Sequence, residues 1–411
     1  MRFAITIFTI LLLLPLYFSA RTWQVGEGGD FASIRQAITE VEPGDTLMIQ
    51  SGHYREGNIV VDKPLALIGI DFPILDGENE SEVLTIRAHN VLVQGLQIQD
   101  VPTSYLNDLA GIRVERKRNF VIRGNRLVNT FFGIYLEYAH HGIVEGNEIL
   151  GEAVQEMSSG NGIHAWYCRD LQILNNEVLR HRDGIYFEFV DSSHIRGNRS
   201  EANIRYGLHF MFSNDDTYTD NVFRNNGAGV AVMFSKNIDM LDNLFEQNWG
   251  RASYGLLLKE IYDAVIRGNR FVKNTIAINV EGSTRIDYLE NDFRQNGWAI
   301  KMAGGCLTND FTRNNFIANT MDMVLNSRVN DNTFDGNYWS EYTGYDLDRD
   351  GIGDVPHKPV KLFSYLVDRH PETIVLLRSL FVDLINFSEK ISPVLTPANV
   401  QDHQPKMHPI P

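Results

Sequence analysis

The stretch from Gly162 to Met233 decides the fold, because one short pattern occurs in it four times. The copies begin Gly162-Ile163-His164-Ala165-Trp166, Gly184-Ile185-Tyr186-Phe187-Glu188, Gly207-Leu208-His209-Phe210-Met211 and Gly229-Val230-Ala231-Val232-Met233. Counting the glycine as zero, positions one and three are apolar in every copy, as in a strand with one buried face. Positions two and four then point outward: His164/Trp166, Tyr186/Glu188, His209/Met211 and Ala231/Met233. If the copies stack as neighbouring strands about 4.8 Å apart, these side chains form two adjacent columns of imidazole, thioether and carboxylate.

The repeat extends well beyond this stretch. Asparagines recur at Asn125, Asn147, Asn176, Asn198, Asn221, Asn243, Asn269, Asn291 and Asn315, in step with Gly111, Gly133, Gly162, Gly184, Gly207, Gly229 and Gly255. A period of about 22 residues, with short β-branched or aromatic runs between Asn and Gly turns, is the signature of a solenoid. The runs alternate with period two and none is of helix length. The chain is therefore predicted to be all-β, a right-handed parallel β-helix with about three short strands per coil. Asparagine tolerates the left-handed corner conformation and can hydrogen-bond from coil to coil, so its column is read as structural.

Flanking segments complete a three-part division. Residues 1–20 read as an export signal, with Arg2 ahead of an apolar run from Phe3 to Phe18 that is short for a membrane span. Residues 21–340 are assigned to the β-helix, with Asp30 to Ile38 as a helical cap over its open end. Residues 341–411 hold an Asp-rich loop, an apolar helix between Ile374 and Phe387, and an extended tail carrying His403, Met407 and His408. Two coils are longer than the rest, around Gly151 to Asn161 and Asn248 to Tyr254, and such insertions emerge as surface loops.

Composition and spacing narrow the chemistry. A formal net charge of −15 argues against nucleic acid as a partner and is compatible with cations. Cys168 and Cys306 fall at nearly one phase of the repeat, six copies and about 29 Å apart, so they cannot pair with each other. Asp346, Asp348, Asp350 and Asp354 alternate around Gly351 like the first half of a calcium-binding loop, although His357 stands where that loop's closing glutamate would be. A polysaccharide lyase, hydrolase or epimerase would want paired carboxylates on one outer face. The nearest candidates are Asp215-Asp216 in a turn, and Glu188 and Glu137 two coils apart.

Thioether and imidazole ligands select Cu(I), which makes His209, Met211 and Met233 candidate copper ligands, with His164 or His181 completing the set and Glu188 in the same column. On spacing alone the plainer reading is that the same residues form a partner-binding patch or lie under a loop. The runs Gly160 to His164, His181 to Phe189, Arg205 to Ser213 and Asn226 to Met233, together with the loop from Asp346 to Asp354, resemble the NosD family of periplasmic nitrous oxide reductase maturation proteins. That resemblance implies a non-catalytic periplasmic β-helix working with an ABC transporter made of a cytoplasmic ATPase and a membrane subunit. It further implies peripheral attachment to the inner membrane through that transporter, and action with a copper chaperone lipoprotein on the copper centres of nitrous oxide reductase.

Overall fold

The four glycine-led repeats are successive strands of one parallel sheet, Ile163–Trp166, Asp183–Glu188, Tyr206–Met211 and Ala228–Met233, in the register that the glycines set. In the computed structural model, described for residues 20–250, 253–326, 330–377, 379–391 and 400–411, the chain winds as a parallel β-helix. Every third strand is a hydrogen-bonded neighbour, giving three sheets of 14, 12 and 13 strands among the described residues. The proposed export signal lies outside the described residues, apart from Ala20.

Why glycine leads the repeat is visible at Gly184. A Cβ there would stand 2.0 Å from Ser200 Oγ and 2.6 Å from the Gly207 carbonyl of the next coil, so any side chain would push the coils apart. Positions one and three fill the interior as expected: Ile163, Ala165, Ile185, Phe187, Leu208, Phe210, Val230 and Val232 are fully buried. Further along, Phe223, Phe245, Phe271, Phe293, Phe316 and Trp339 stack ring on ring down the interior.

The asparagine column is a hydrogen-bonded ladder. Asn198, for example, accepts from the backbone N–H (2.9 Å) and side-chain amide (3.0 Å) of Asn176 and donates to Asn221 (3.0 Å). One rung differs from the sequence reading. Asn314, not Asn315, continues the ladder from Asn291 to Asn337, while Asn315 begins a strand and bonds the Ile410 backbone. A second ladder runs at another corner through Asn203, Asn226, Asn248, Asn274, Asn296 and Asn319.

Both ends are covered. Helix α1 (Ile34–Glu40), N-capped by Ser33, buries Ile34, Ala37 and Ile38 at the first coils. At the other end the tail is not loose: buried Asp402 stands as the last rung of the first ladder, accepting from Gly336 N, Asn337 N, Asn337 Nδ2 and Trp339 Nε1. His357 pairs its backbone with Asp402 and packs its ring near Trp339. The apolar stretch from Ile374 is not one helix. A 3-10 turn (Pro371–Leu376) precedes α3 (Leu380–Ile391), and α2 (Leu362–Arg369) packs Phe363 and Val367 on Trp298, Met321 and Val324 of the second sheet. Among the described residues no helix is long and apolar enough to cross a membrane.

Candidate metal site

Three outward columns, not two, meet on the face built by the second sheet. Position two runs Tyr135, His164, Tyr186, His209, Ala231, and position four runs Glu137, Trp166, Glu188, Met211, Met233. The residue before the glycine supplies a third column with Asp183, Tyr206 and Ala228. The signal for it was present in the sequence as an outward position of the same period.

Pointing outward does not leave the position-two side chains open to solvent. His164, Tyr186 and His209 are buried, because large rings at neighbouring rungs cover one another. His164 packs against Phe132, Tyr135 and Tyr186, and its Nδ1 lies 3.0 Å from Asn161 Nδ2. Burial, with the nearby Arg182 charge, pushes the His164 imidazolium pKa down to about 3, so the ring is neutral. His209, 6% exposed, sits between the rings of Tyr186 (4.9 Å) and Tyr206 (4.8 Å). Neither of its nitrogens has a hydrogen-bond partner, its Nδ1 standing 3.9 Å from Asp183 Oδ2.

Tyr186 organises the neighbouring column. Its hydroxyl donates to Glu188 Oε2 at 3.3 Å and lies 3.9 Å from Met211 Sδ. Glu188, Met211 and Met233 are register partners on consecutive coils, and His209 is two residues from Met211 on one strand. These four side chains are therefore brought to one patch. His164 is separated from it by the Tyr186 ring and cannot share an ion with His209. His181 is elsewhere altogether. It takes the place of an asparagine in the second ladder, its backbone N–H bonded to Asn203 Oδ1, with burial pushing its pKa down to about 4.

Beneath the patch lies an ion pair that the sequence reading missed. Asp183 is fully buried and accepts from Arg205 Nε (2.8 Å), Arg205 Nη2 (2.5 Å) and the Tyr206 N–H (3.2 Å). Burial raises its pKa, but the His209 ring and the hydrogen bonds and charge of Arg205 outweigh burial and hold it at about 2. Arg205 Nη1 also reaches Glu156 Oε1 (3.3 Å), on the 3-10 turn of the loop after Gly151. That loop is thereby tied to the patch, although its Met157 points to solvent.

The carboxylate candidates for sugar chemistry do not converge. Asp216 is fully buried and accepts from Ser193 N, and Trp166 stands between Glu137 and Glu188. In the Asp-rich loop, oxygens of Asp346, Asp348 and Asp350 lie within 4.8 Å of one another. Asp354 falls outside that group and accepts the Leu347 N–H instead (2.7 Å). Asp346 is oriented by the N–H groups of Arg349, Asp350 and Gly351. Both cysteines are buried and free.

Comparison with known proteins decides the family. The model of the family described as periplasmic copper-binding protein (NosD) matches residues 151–344. A Pseudomonas aeruginosa protein described as a probable ABC transporter binding protein NosD is 30% identical over 90% of this chain and 92% of its own length. The chain belongs to the NosD family. A second such protein, from Stutzerimonas stutzeri, is 29% identical over 87% of this chain and 86% of its own length. A family 28 exopolygalacturonase from Yersinia enterocolitica has the same fold, with a TM-score of 0.53 over 77% of this chain and 78% of its own, at 11% identity. That likeness is one of architecture alone.

Proposed function

We propose that this NosD-family chain is a non-catalytic periplasmic accessory protein that holds Cu(I) transiently during assembly of the copper centres of nitrous oxide reductase. The observation that carries this reading is His209. A buried imidazole with neither nitrogen hydrogen-bonded, next to the thioethers of Met211 and Met233, is an unusual arrangement for a purely structural residue. Imidazole and thioether together suit Cu(I), with Glu188 at the margin as a weaker ligand. A few soft ligands without a closed tetrahedral shell hold an ion loosely enough to release it, as a carrier requires. The descriptions of the family as copper-binding and of the relatives as transporter-binding support the same role.

In this reading a copper chaperone lipoprotein delivers the ion and an ABC transporter, an ATPase with a membrane subunit, is the docking partner. The surface that suits docking is α3, where Leu380, Phe381, Leu384 and Phe387 are exposed along one face while Val382 is buried against α2. Attachment to the inner membrane is then peripheral, through the transporter. The Asp346, Asp348 and Asp350 oxygens suit a hard ion such as calcium, which would stiffen the end of the β-helix.

The test is an anaerobic Cu(I) competition titration on the mature protein and on the His209→Ala/Met211→Ala/Met233→Ala variant, with thermal melts to verify folding. About one bound Cu(I), lost in a folded variant, supports the carrier. Equal binding in both moves the copper elsewhere, and no binding in either reduces the chain to a scaffold.

A further inference from the structure

Trp249 opens the second of the two long coils, and of the five tryptophans in the chain it alone is exposed, at 57%. It follows Asn248, a buried rung of the second asparagine ladder that accepts from the Asn226 N–H (3.0 Å) and donates to Asn274 (2.9 Å). The next residue, Gly250, donates its N–H to Thr275 Oγ1 at 3.0 Å, so the backbone on both sides of the indole is tied to the coils. Among the described residues no ring or cation stacks on the indole. It borders an open depression of about 420 Å³ shared with Asn225, Asn226 and Gln247, a size within the range of small-ligand sites. Asn225 and Gln247 are exposed corner residues on successive coils, at φ 52° and 55°, and among the described residues their carboxamides make no hydrogen bond.

What surrounds the indole decides what can cover it. A protein interface sets its tryptophan in an apolar core ringed by polar groups. Here the neighbours are amides, a glycine and a threonine, and among the described residues no other large apolar side chain is exposed between Phe212 and Tyr262. Arg224 and Glu246, the residues before the two exposed amides, cancel in an ion pair of 2.7 Å. The nearest charge in the amide column is Lys273, one coil beyond Gln247. One aromatic face beside unpaired carboxamides suits neither a cation nor an anion. Each carboxamide offers donors and an acceptor together, which matches hydroxyl groups, themselves both donor and acceptor. The C–H groups on one face of a pyranose ring carry partial positive charge and match the negative face of the indole.

We propose that Trp249, Asn225 and Gln247 form a binding site for a neutral sugar, with one ring stacked on the indole and its hydroxyl or N-acetyl groups held by the carboxamides. The site binds without chemistry, since no carboxylate or histidine lines the depression. It needs no metal and stands apart from the copper reading. The probes are triacetylchitotriose, cellotriose and trigalacturonate, titrated into the full mature chain by calorimetry, with tryptophan emission recorded alongside. The comparison variants are Trp249→Ala and Asn225→Gly/Gln247→Gly, glycine being suited to the left-handed corner. At least one neutral trisaccharide should bind with a Kd of about 1 mM or tighter and shift the emission of the wild type. Its affinity should fall at least tenfold in each variant, with melting temperatures unchanged. Trigalacturonate should bind at least tenfold more weakly, since a chain of net charge −15 repels it. No binding of either neutral sugar, unchanged affinity in either variant, or tighter binding of trigalacturonate overturns the proposal. So does a wild-type dimer in sedimentation that Trp249→Ala abolishes, because a second copy would then cover the indole.

Discussion

Replacing Arg205 by methionine isolates the ion pair under the His209 patch. Methionine keeps much of the aliphatic stem that packs beside Tyr206 but takes both hydrogen-bonded nitrogens from Asp183, 0% exposed, leaving only Arg182 Nε at 3.9 Å as a cationic neighbour. A pKa held at about 2 against an ordinary 3.8, by His209 as well as Arg205, represents stabilisation on the order of 2 kcal/mol at neutral pH. Breaking the pair also exposes the cost of the buried charge, so the expected loss is about 3–5 kcal/mol at pH 7 in urea unfolding. The pH dependence has a definite sign. In the wild type the Asp183 contribution is present above pH 3.8 and fades only toward pH 2. In Arg205→Met, burial raises the folded pKa above the unfolded value, so the penalty is full at high pH and relieved by protonation. The gap between variant and wild type should therefore narrow from pH 8 to pH 5. Adding Asp183→Asn should recover most of the loss. The loop after Gly151, released from Arg205, should be cut faster by a Glu-specific protease at Glu152 or Glu156. A loss under about 1 kcal/mol, a gap that does not narrow, or no rescue by Asp183→Asn would refute this account of the pair.

Three further outcomes are expected. Asp402→Asn places an amide where five N–H groups converge, from Gly336, Asn337 (two), Trp339 and Gln404, and should cost about 2–4 kcal/mol, read as early loss of Trp339 burial in urea. Asp322 is raised to about 7 by burial, so its contribution is full below pH 3.8 and lost as pH rises to 7; Asp322→Asn should gain on wild type by about 4 kcal/mol across that window and run parallel above it. Calcium should raise the melting temperature of wild type but not of Asp348→Asn, if Asp346, Asp348 and Asp350 share an ion.

Much of this molecule was legible because a solenoid converts sequence spacing into spatial adjacency. The pairing of Tyr186 with His209 and of Met211 with Met233 follows from a glycine and a period. What spacing does not resolve is choice between neighbours: Asn314 and Asn315 are adjacent amides, and only packing shows which continues the ladder. His181 was misplaced for a related reason, since it stands where other coils put asparagine, and polar character alone does not tell an inner rung from an outer one. Asp402 lies outside the repeat, so no period announced that it closes the ladder. Nor does an outward direction, which spacing does give, fix exposure. A side chain pointing away from a β-helix is still buried when Tyr186 on the preceding coil and Tyr206 on its own strand pack against it, as they do at His209.

That burial constrains how the proposed carrier could work. Met211 and Met233 are half-buried and reachable, whereas His209 lies behind the Tyr186 and Tyr206 rings. An arriving Cu(I) would meet thioether before imidazole, and the imidazole could join only if a ring swung aside. The sheet backbone gives little freedom for this, because each coil is hydrogen-bonded on both sides. The loop after Gly151 has more freedom, and its Glu156 is tied through Arg205 to Asp183, the carboxylate nearest His209. A partner that pulls on this loop would thus act on the imidazole through two ion pairs, without deforming the β-helix. On this account Glu156→Gln should change the rate of Cu(I) uptake more than its affinity. Equal shifts in both, measured by stopped-flow against a chromophoric Cu(I) chelator, would show that the loop does not gate the site.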